Sequence, residues 1–189
     1  MHHKVIIITA PSGSGKTTLV QYLLSRFPQL EFSVSACTRA PRQNEENGRD
    51  YYFISVDEFK KRVAEGAFVE YEEVYKGNFY GTLKTELQRI WNKKHIVLFD
   101  VDVKGAYHLK GIFGEEALTL FIKAPSLEIL EQRLRNRGTE SEEKIQMRLE
   151  KVKTELEMED KFDIVLVNDR IEQSQVRLEQ IVNSFIEKQ

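Results

Sequence analysis

One run constrains this chain more than any other: VIIITAPSGSGKTTLVQYLL, residues 5–24. Val5 to Thr9 is a short, β-branched apolar stretch of the kind that forms a strand buried on both faces. Ala10 to Gly15 is small and turn-prone, and beyond it Leu19, Tyr22, Leu23 and Phe27 recur at helical spacing. Strand, glycine-rich loop and helix, in that order, make a phosphate-binding loop. Gly13 and Gly15 let backbone N–H groups turn inward around phosphate oxygens, a concavity that Cβ atoms would obstruct. The helix start adds unpaired N–H groups and the positive end of its dipole. Lys16 is placed to reach the β- and γ-phosphates, and the Thr17 hydroxyl to ligate Mg²⁺. Ala10, Pro11, Ser12, Gly13, Ser14, Gly15, Lys16, Thr17 and Thr18 are therefore expected to hold a nucleoside triphosphate. The usual pattern opens with glycine, and Ala10 serves in its place if its φ is negative.

The totals exclude more than they assign. With 189 residues, 41% hydrophobic and 31% charged, the chain fits one globular domain or one core carrying insertions. A net charge of −2 supplies no global attraction to nucleic acid or membranes. No apolar run approaches a transmembrane span, and MHHKVIIITAP leads into a strand without signal-peptide anatomy. Cys37 is the single cysteine, which rules out an intramolecular disulfide framework and suggests a reducing, cytoplasmic setting. His2 and His3 sit at the tip, and with only His95 and His108 besides, no His/Cys cluster has zinc spacing.

Beyond the first helix, which Pro28 ends, apolar runs alternate with helical patterns. FSVSACT (32–38) reads as a strand, RAPRQNEENGRD as a polar loop, and YYFIS (51–55) as a further strand. Ser55 and Glu58 form a capping box opening a helix to about Glu65. FVEYEEVYKGNFYGT (68–82) suggests two strands around a turn at Lys76-Gly77-Asn78, followed by a helix from Thr82 to Lys93. HIVLFDVD and LTLFIKAP are apolar runs, and Pro125 suits the first turn of the helix SLEILEQRLRNR, which Gly138 stops. Thr139 and Glu142 repeat the capping-box pattern before a charged helix to about Asp160. FDIVLVND is the last strand, and Leu178, Ile181, Val182 and Phe185 stripe the last helix. Five core strands joined largely through helices predict a parallel, doubly wound α/β sheet. Such sheets bind ligands at the carboxyl ends of their strands, so the loop, SACTR, DVD and VND are expected on one edge.

A second substrate is written into residues 34–82. Arg39 and Arg42 flank Pro41, and Tyr51 and Tyr80 add phenolic donors; guanidinium forks and phenols suit a phosphate dianion. Glu70 sits among Phe68, Val69 and Tyr71. A carboxylate accepts two hydrogen bonds side by side, which is what guanine N1–H and N2–H₂ offer, whereas adenine presents an acceptor at N1. Ser35 and Thr82 are placed to complete that pocket as hydroxyl donors.

On these motifs the whole chain resembles the guanylate kinases, nucleoside-monophosphate kinases with a P-loop. The matching segments are PSGSGKTT, FSVSACTRAPRQNEENGRDYYFIS, FVEYEEVYKGNFYGT, DVDVKG, RLRNRGTE and VND, in the family's order and spacing. The resemblance implies a P-loop kinase core (about 1–33, 83–125 and 159–189), with its five-stranded parallel sheet flanked by helices. It adds a small β-rich GMP-binding insertion (about 34–82) and a helical lid (about 126–158). It implies that Ser35, Glu70, Thr82 and Asp102 contact guanine. Arg39, Arg42, Tyr51 and Tyr80 would hold the GMP phosphate, with Glu45 supporting their loop. Arg133, Arg137 and Arg148 match lid arginines over the ATP phosphates, and Asn168 a residue near adenine. Ala10, Cys37, which stands where Thr is common, and Lys104, which stands where Gln is common, depart from the pattern. Lys104 adds a cation near the DVD carboxylates, and Cys37 is expected to be an inert small residue rather than a reactive thiol.

The implied reaction is transfer of the γ-phosphoryl group of ATP to GMP, and also to dGMP, giving ADP and the nucleoside diphosphate. An acceptor that is already an anion needs little general base, so catalysis rests on alignment and charge neutralisation. Lys16, Arg39, Arg133, Arg137 and Arg148 are the cations for it, and Arg133 and Arg137 share a helix face. Arg137→Ala is expected to lower turnover far more than GMP affinity. Asp100, at the end of its strand, is the candidate to support Mg²⁺ through water, and Asp102 is also placed to cap the helix starting near Lys104. Two other readings stay open here: a non-catalytic guanylate-kinase-like interaction module, which should lack loop or lid cations that this chain keeps, and a kinase for another acceptor. ATP and GMP are the expected partners, with neither nucleic acid nor membrane.

Overall fold

β-Branched and aliphatic residues dominate the segments that meet at the centre of the molecule. In the computed structural model, which describes residues 3–136 and 142–188, the chain runs β1 (Val5–Thr9), α1 (Lys16–Arg26), β2 (Leu30–Phe32), β3 (Ala36–Cys37), β4 (Tyr52–Phe53), α2 (Val56–Ala64), β5 (Phe68–Tyr75) and β6 (Asn78–Leu83). It continues through α3 (Lys84–Asn92), β7 (Ile96–Asp100), α4 (Val103–Phe113), β8 (Ala117–Lys123), α5 (Leu127–Asn136), α6 (Glu142–Leu156), β9 (Ile164–Val167) and α7 (Ile171–Glu187). Five strands form a sheet in the order β2-β7-β1-β8-β9, every neighbouring pair parallel, as the alternation of runs predicts.

β1 lies in the middle and is buried on both faces. Ile6 and Ile8 join the apolar layer with Leu19, Leu23, Leu178 and Val182 of α1 and α7. Val5 and Ile7 turn to the opposite layer, with Leu87, Ile90, Phe99 and Leu109 of α3, β7 and α4. Each such side chain contributes roughly 1.5–3 kcal/mol on burial. The sheet is thus anchored hardest at the strand whose C-terminal end carries the glycine-rich loop.

A second sheet, β4-β3-β6-β5, is built from residues between 36 and 83. Its β3–β6 and β5–β6 pairs are antiparallel, and it has its own apolar cluster of Ala36, Phe59, Phe68 and Leu83. Leu130, Leu134 and Val152 form a further cluster between α5 and α6.

The structure corrects several local readings. Residues 32–38 are not one strand: β2 stays with the central sheet, Ser33 N makes a last bond to Leu98 O at 3.0 Å, and the chain then crosses to the second sheet as β3. Tyr51–Ser55 narrows to β4, and the helix expected from Thr82 starts at Lys84 because Thr82 and Leu83 complete β6. Pro125 lies two residues ahead of α5, whose first turn is met by the Ser126 hydroxyl accepting from Ile129 N (3.3 Å). Ser55 caps α2 as predicted, accepting from Glu58 N at 3.1 Å, while the Glu58 carboxylate turns to Arg62. α6 ends at Leu156, four residues short of the expected end. Gly138 and Thr139 lie outside the described residues.

Candidate active site

The glycine-rich loop leaves β1 and ends at Gly15, which precedes α1. Gly13 and Gly15 have φ of +92° and +90°, a region L side chains avoid, while Ala10 is not among the positive-φ residues and so fits the first position. A β-carbon on Gly15 would run into Asn168 Nδ2, and one on Gly13 would press on Leu134 of α5. Asn168 is buried behind the loop and donates from Nδ2 to Ser14 O at 2.8 Å. The residue expected near adenine therefore braces the loop from behind. Lys16 makes an ion pair with Asp100 at the end of β7. Burial pushes the Lys16 ammonium down to about 8, against the opposing charges of Asp102 and Glu155.

Across from the loop stands the second sheet. Glu70 is 8% exposed, and its Oε1 accepts from the hydroxyl of the fully buried Thr82 at 2.8 Å. Burial raises the Glu70 carboxyl above its ordinary range and the charge of Asp102 adds to this, while the Thr82 bond opposes. Asp102 caps α4, its Oδ1 accepting from Gly105 N at 2.7 Å, so the capping role expected for it is realised. Ser35 sits in the crossover between β2 and β3, its carbonyl accepting from Tyr52 N at 2.9 Å.

The arginine loop is held by Glu45. Its carboxylate takes Nη1 and Nη2 of Arg39 at 2.6 and 2.7 Å and accepts from Arg42 N at 2.8 Å. The Arg39 guanidinium holds Glu45 down at about 2. Arg39 lies over the Tyr51 ring, 4.9 Å from its centroid, and its Nε is buried without a hydrogen-bond partner. Tyr51 and Tyr80 meet edge to face with centroids 6.0 Å apart. Cys37 is buried, and burial pushes its thiol up, as suits an inert side chain.

Between loop and second sheet lies a cleft of about 450 Å³, walled by residues 10–17, by Ser35, Tyr51, Glu70 and Tyr80, by Asp100 and Asp102, and by Arg148 of α6. Arg148 donates from Nη1 to the Ser12 hydroxyl at 2.6 Å, which ties α6 to the loop. Thr18, Arg39, Arg42, Glu45, Thr82, Arg133 and Asn168 stand off the wall. Arg133 donates instead to the carbonyls of Asn168 (3.1 Å) and Asp169 (3.4 Å). Arg137 lies outside the described residues. Sequence reasoning missed four charged wall residues: Asp50, Glu72, Lys151 and Glu155. Two signals pointed to three of them. Glu72 follows Glu70 at the strand period, and Lys151 and Glu155 follow Arg148 at helical spacing.

A phosphate loop facing a hydroxyl-and-carboxylate pocket across one cleft, with an arginine reaching over from a third segment, defines a P-loop phosphotransferase with two substrate sites. Known proteins narrow that class. The guanylate kinase family model matches residues 2–185. The guanylate kinase of Porphyromonas gingivalis is 47% identical over 186 residues, covering 98% of this chain and 99% of that protein. That of Salinibacter ruber is 46% identical, covering 95% and 97%. In three dimensions, the crystal structure of guanylate kinase from Anaplasma phagocytophilum matches with a TM-score of 0.78 at 30% identity, over 98% of this chain and 87% of that one. The chain belongs to the guanylate kinase family. The resemblance carried by its motifs is borne out, as is the α/β fold around a five-stranded parallel sheet.

Proposed function

We infer that the chain is a catalytic guanylate kinase, transferring the γ-phosphoryl group of ATP to GMP to give ADP and GDP, and not an interaction module. The observation that carries the acceptor is the Glu70–Thr82 pair, a buried carboxylate turned into the cleft opposite the phosphate loop. One Glu70 oxygen is taken by Thr82; the carboxylate retains lone pairs for guanine N1–H and N2–H₂, and Ser35 and Asp102 line the same cleft. Arg39, pre-oriented by Glu45 and with its Nε unpartnered, receives the acceptor phosphate together with Arg42, Tyr51 and Tyr80. Loop amides, Lys16 and Thr18 hold the donor phosphates, and Arg133, Arg137 and Arg148 neutralise charge as the phosphoryl group moves in line.

Mg²⁺ fits the residues present. Among the described residues no group of three or more His, Cys, Asp or Glu could hold a metal by itself. The Thr17 hydroxyl and the Asp100 carboxylate are hard oxygen donors on one cleft wall, which suits an ion that takes most of its shell from water and substrate phosphates. When bound, the ion neutralises β- and γ-phosphate charge. Residues 34–82 act as the GMP-binding insertion and 126–158 as the lid, which close on the core and exclude water. We place the enzyme in the cytoplasm with nucleotides as its partners; among the described residues no helix is long and apolar enough to cross a membrane.

ADP formation from Mg-ATP with GMP, AMP, CMP or UMP, alongside Lys16→Ala, tests this reading. GMP-dependent turnover lost in the variant is expected. Turnover with another acceptor would overturn the Glu70 assignment, and none with any acceptor would overturn catalysis.

A further inference from the structure

Glu72 is a charged wall residue to which the acceptor reading gives no task. On the β5–β6 ladder Glu70 lies opposite Thr82, and Glu72 opposite Tyr80. Alternate residues of a strand face the same side, so these four side chains share one side of the ladder, from which Glu70, Glu72 and Tyr80 reach the cleft, while Tyr71 and Phe79 lie against Phe59 behind it. The first rung serves the base. The second rung holds Tyr80, which sits beside Tyr51 and the Arg39 guanidinium at the phosphate end. Two residues along a strand advance the wall by about 7 Å. The sugar joins base to phosphate, so it must pass the place where Glu72 stands.

A carboxylate beside a phosphate dianion repels it, so phosphate binding is excluded as the role of Glu72. What it can take is O–H donors. Glu72 is half-buried, within hydrogen-bonding reach of Asp102, with Lys104 Nζ at 3.9 Å and Lys151 also offsetting its charge. We propose that Glu72 reads the sugar: its carboxylate accepts hydrogen bonds from the ribose hydroxyls of GMP and makes the ribonucleotide a better acceptor than its deoxy analogues. Burial and the neighbouring Asp102 lift Glu72 to about 7. This rests on the cleft being the GMP site.

The test is kcat/KM for GMP, 2′-deoxy-GMP and 3′-deoxy-GMP at saturating Mg-ATP, in the unmodified enzyme, Glu72→Ala and Glu72→Gln. A hydrogen bond to a charged group corresponds to about tenfold or more in rate. The unmodified enzyme should therefore prefer GMP to at least one deoxy analogue by about that factor. In Glu72→Ala the preference should fall below about threefold, with Glu72→Gln between them because its amide keeps one acceptor oxygen. Each ratio is taken on one preparation, so any loss of folded protein cancels. Equal use of all three acceptors by the unmodified enzyme, or a preference that survives in Glu72→Ala, would overturn the proposal. No turnover of any guanine nucleotide by the unmodified enzyme would overturn the acceptor reading, and this one with it.

Discussion

Gly15 holds its left-handed φ with the Asn168 amide standing where a side chain would begin, and that amide is bonded to Ser14 O. The loop is therefore shaped from within by glycine and from outside by a residue 154 positions away. Asn168→Ala should lower the unfolding free energy by about 1–2 kcal/mol, seen in urea titration, and raise the KM for ATP more than that for GMP. Burial brings the Lys16 ammonium down to about 8, so its charge is lost as pH rises through that value and kcat/KM for Mg-ATP should fall above pH 8. A profile flat to pH 9.5 would overturn this, and Lys16→Ala would then tell whether the ammonium keeps its proton there or its charge is dispensable. The loop residues themselves were legible, since Gly13, Gly15, Lys16 and Thr17 have a local geometric reason to stand at those offsets. The bracing by Asn168 was not, because spacing along a chain says nothing of which distant amide meets which carbonyl, and the support of the arginine loop by Glu45 came from the resemblance alone.

Between the two sheets one helix acts as a pin. Glu86, at the start of α3, is 2% exposed and accepts from Val34 N (3.0 Å), from the Tyr52 hydroxyl (3.0 Å) and from Arg89 (2.8 Å), which in turn pairs with Glu31 of β2. Burial would raise the Glu86 carboxyl, but Arg89, Val34 and Tyr52 outweigh it and hold it low. Arg89 keeps Glu31, but Val34 N and the Tyr52 hydroxyl lose their acceptor, so Glu86→Ala should cost about 1–3 kcal/mol in denaturant unfolding. If the pin also sets Ser35, one residue beyond Val34, the KM for GMP should rise as well. This pin explains why 32–38, which reads as a single strand, is not one. Its small and apolar residues suit extended backbone throughout, but Val34 N bonds to a side chain instead of a neighbouring strand, and the chain changes sheets there. Periodicity reports that a segment is extended; it is silent on which sheet receives it. The same limit misplaced the start of α3, where Thr82 and Leu83 fit a helix by composition and a strand by partnership with β5.

For the molecule as a whole, the order of apolar runs foretold the five parallel strands and the edge on which the loop, Ser35, Asp100 and Asp102 gather, because parallel connections leave few alternatives. The contacts that α5 and α6 make with the loop were not foretold. Leu134 of α5 lies against Gly13, and Arg148 of α6 reaches Ser12. Arg148→Ala should lower kcat by about 10³-fold while GMP affinity, measured calorimetrically, changes less than about threefold. An equal loss in both would move Arg148 from phosphoryl transfer to acceptor binding. The frame carrying these parts has a further property. Its outermost strands, β2 and β9, are three and four residues long, and the middle of β2 is Glu31, engaged by Arg89, Lys93 and His95. A foreign strand arriving at either margin finds only a few backbone groups to zip onto, so the sheet that presents the glycine-rich loop is also poorly suited to seeding its own aggregation.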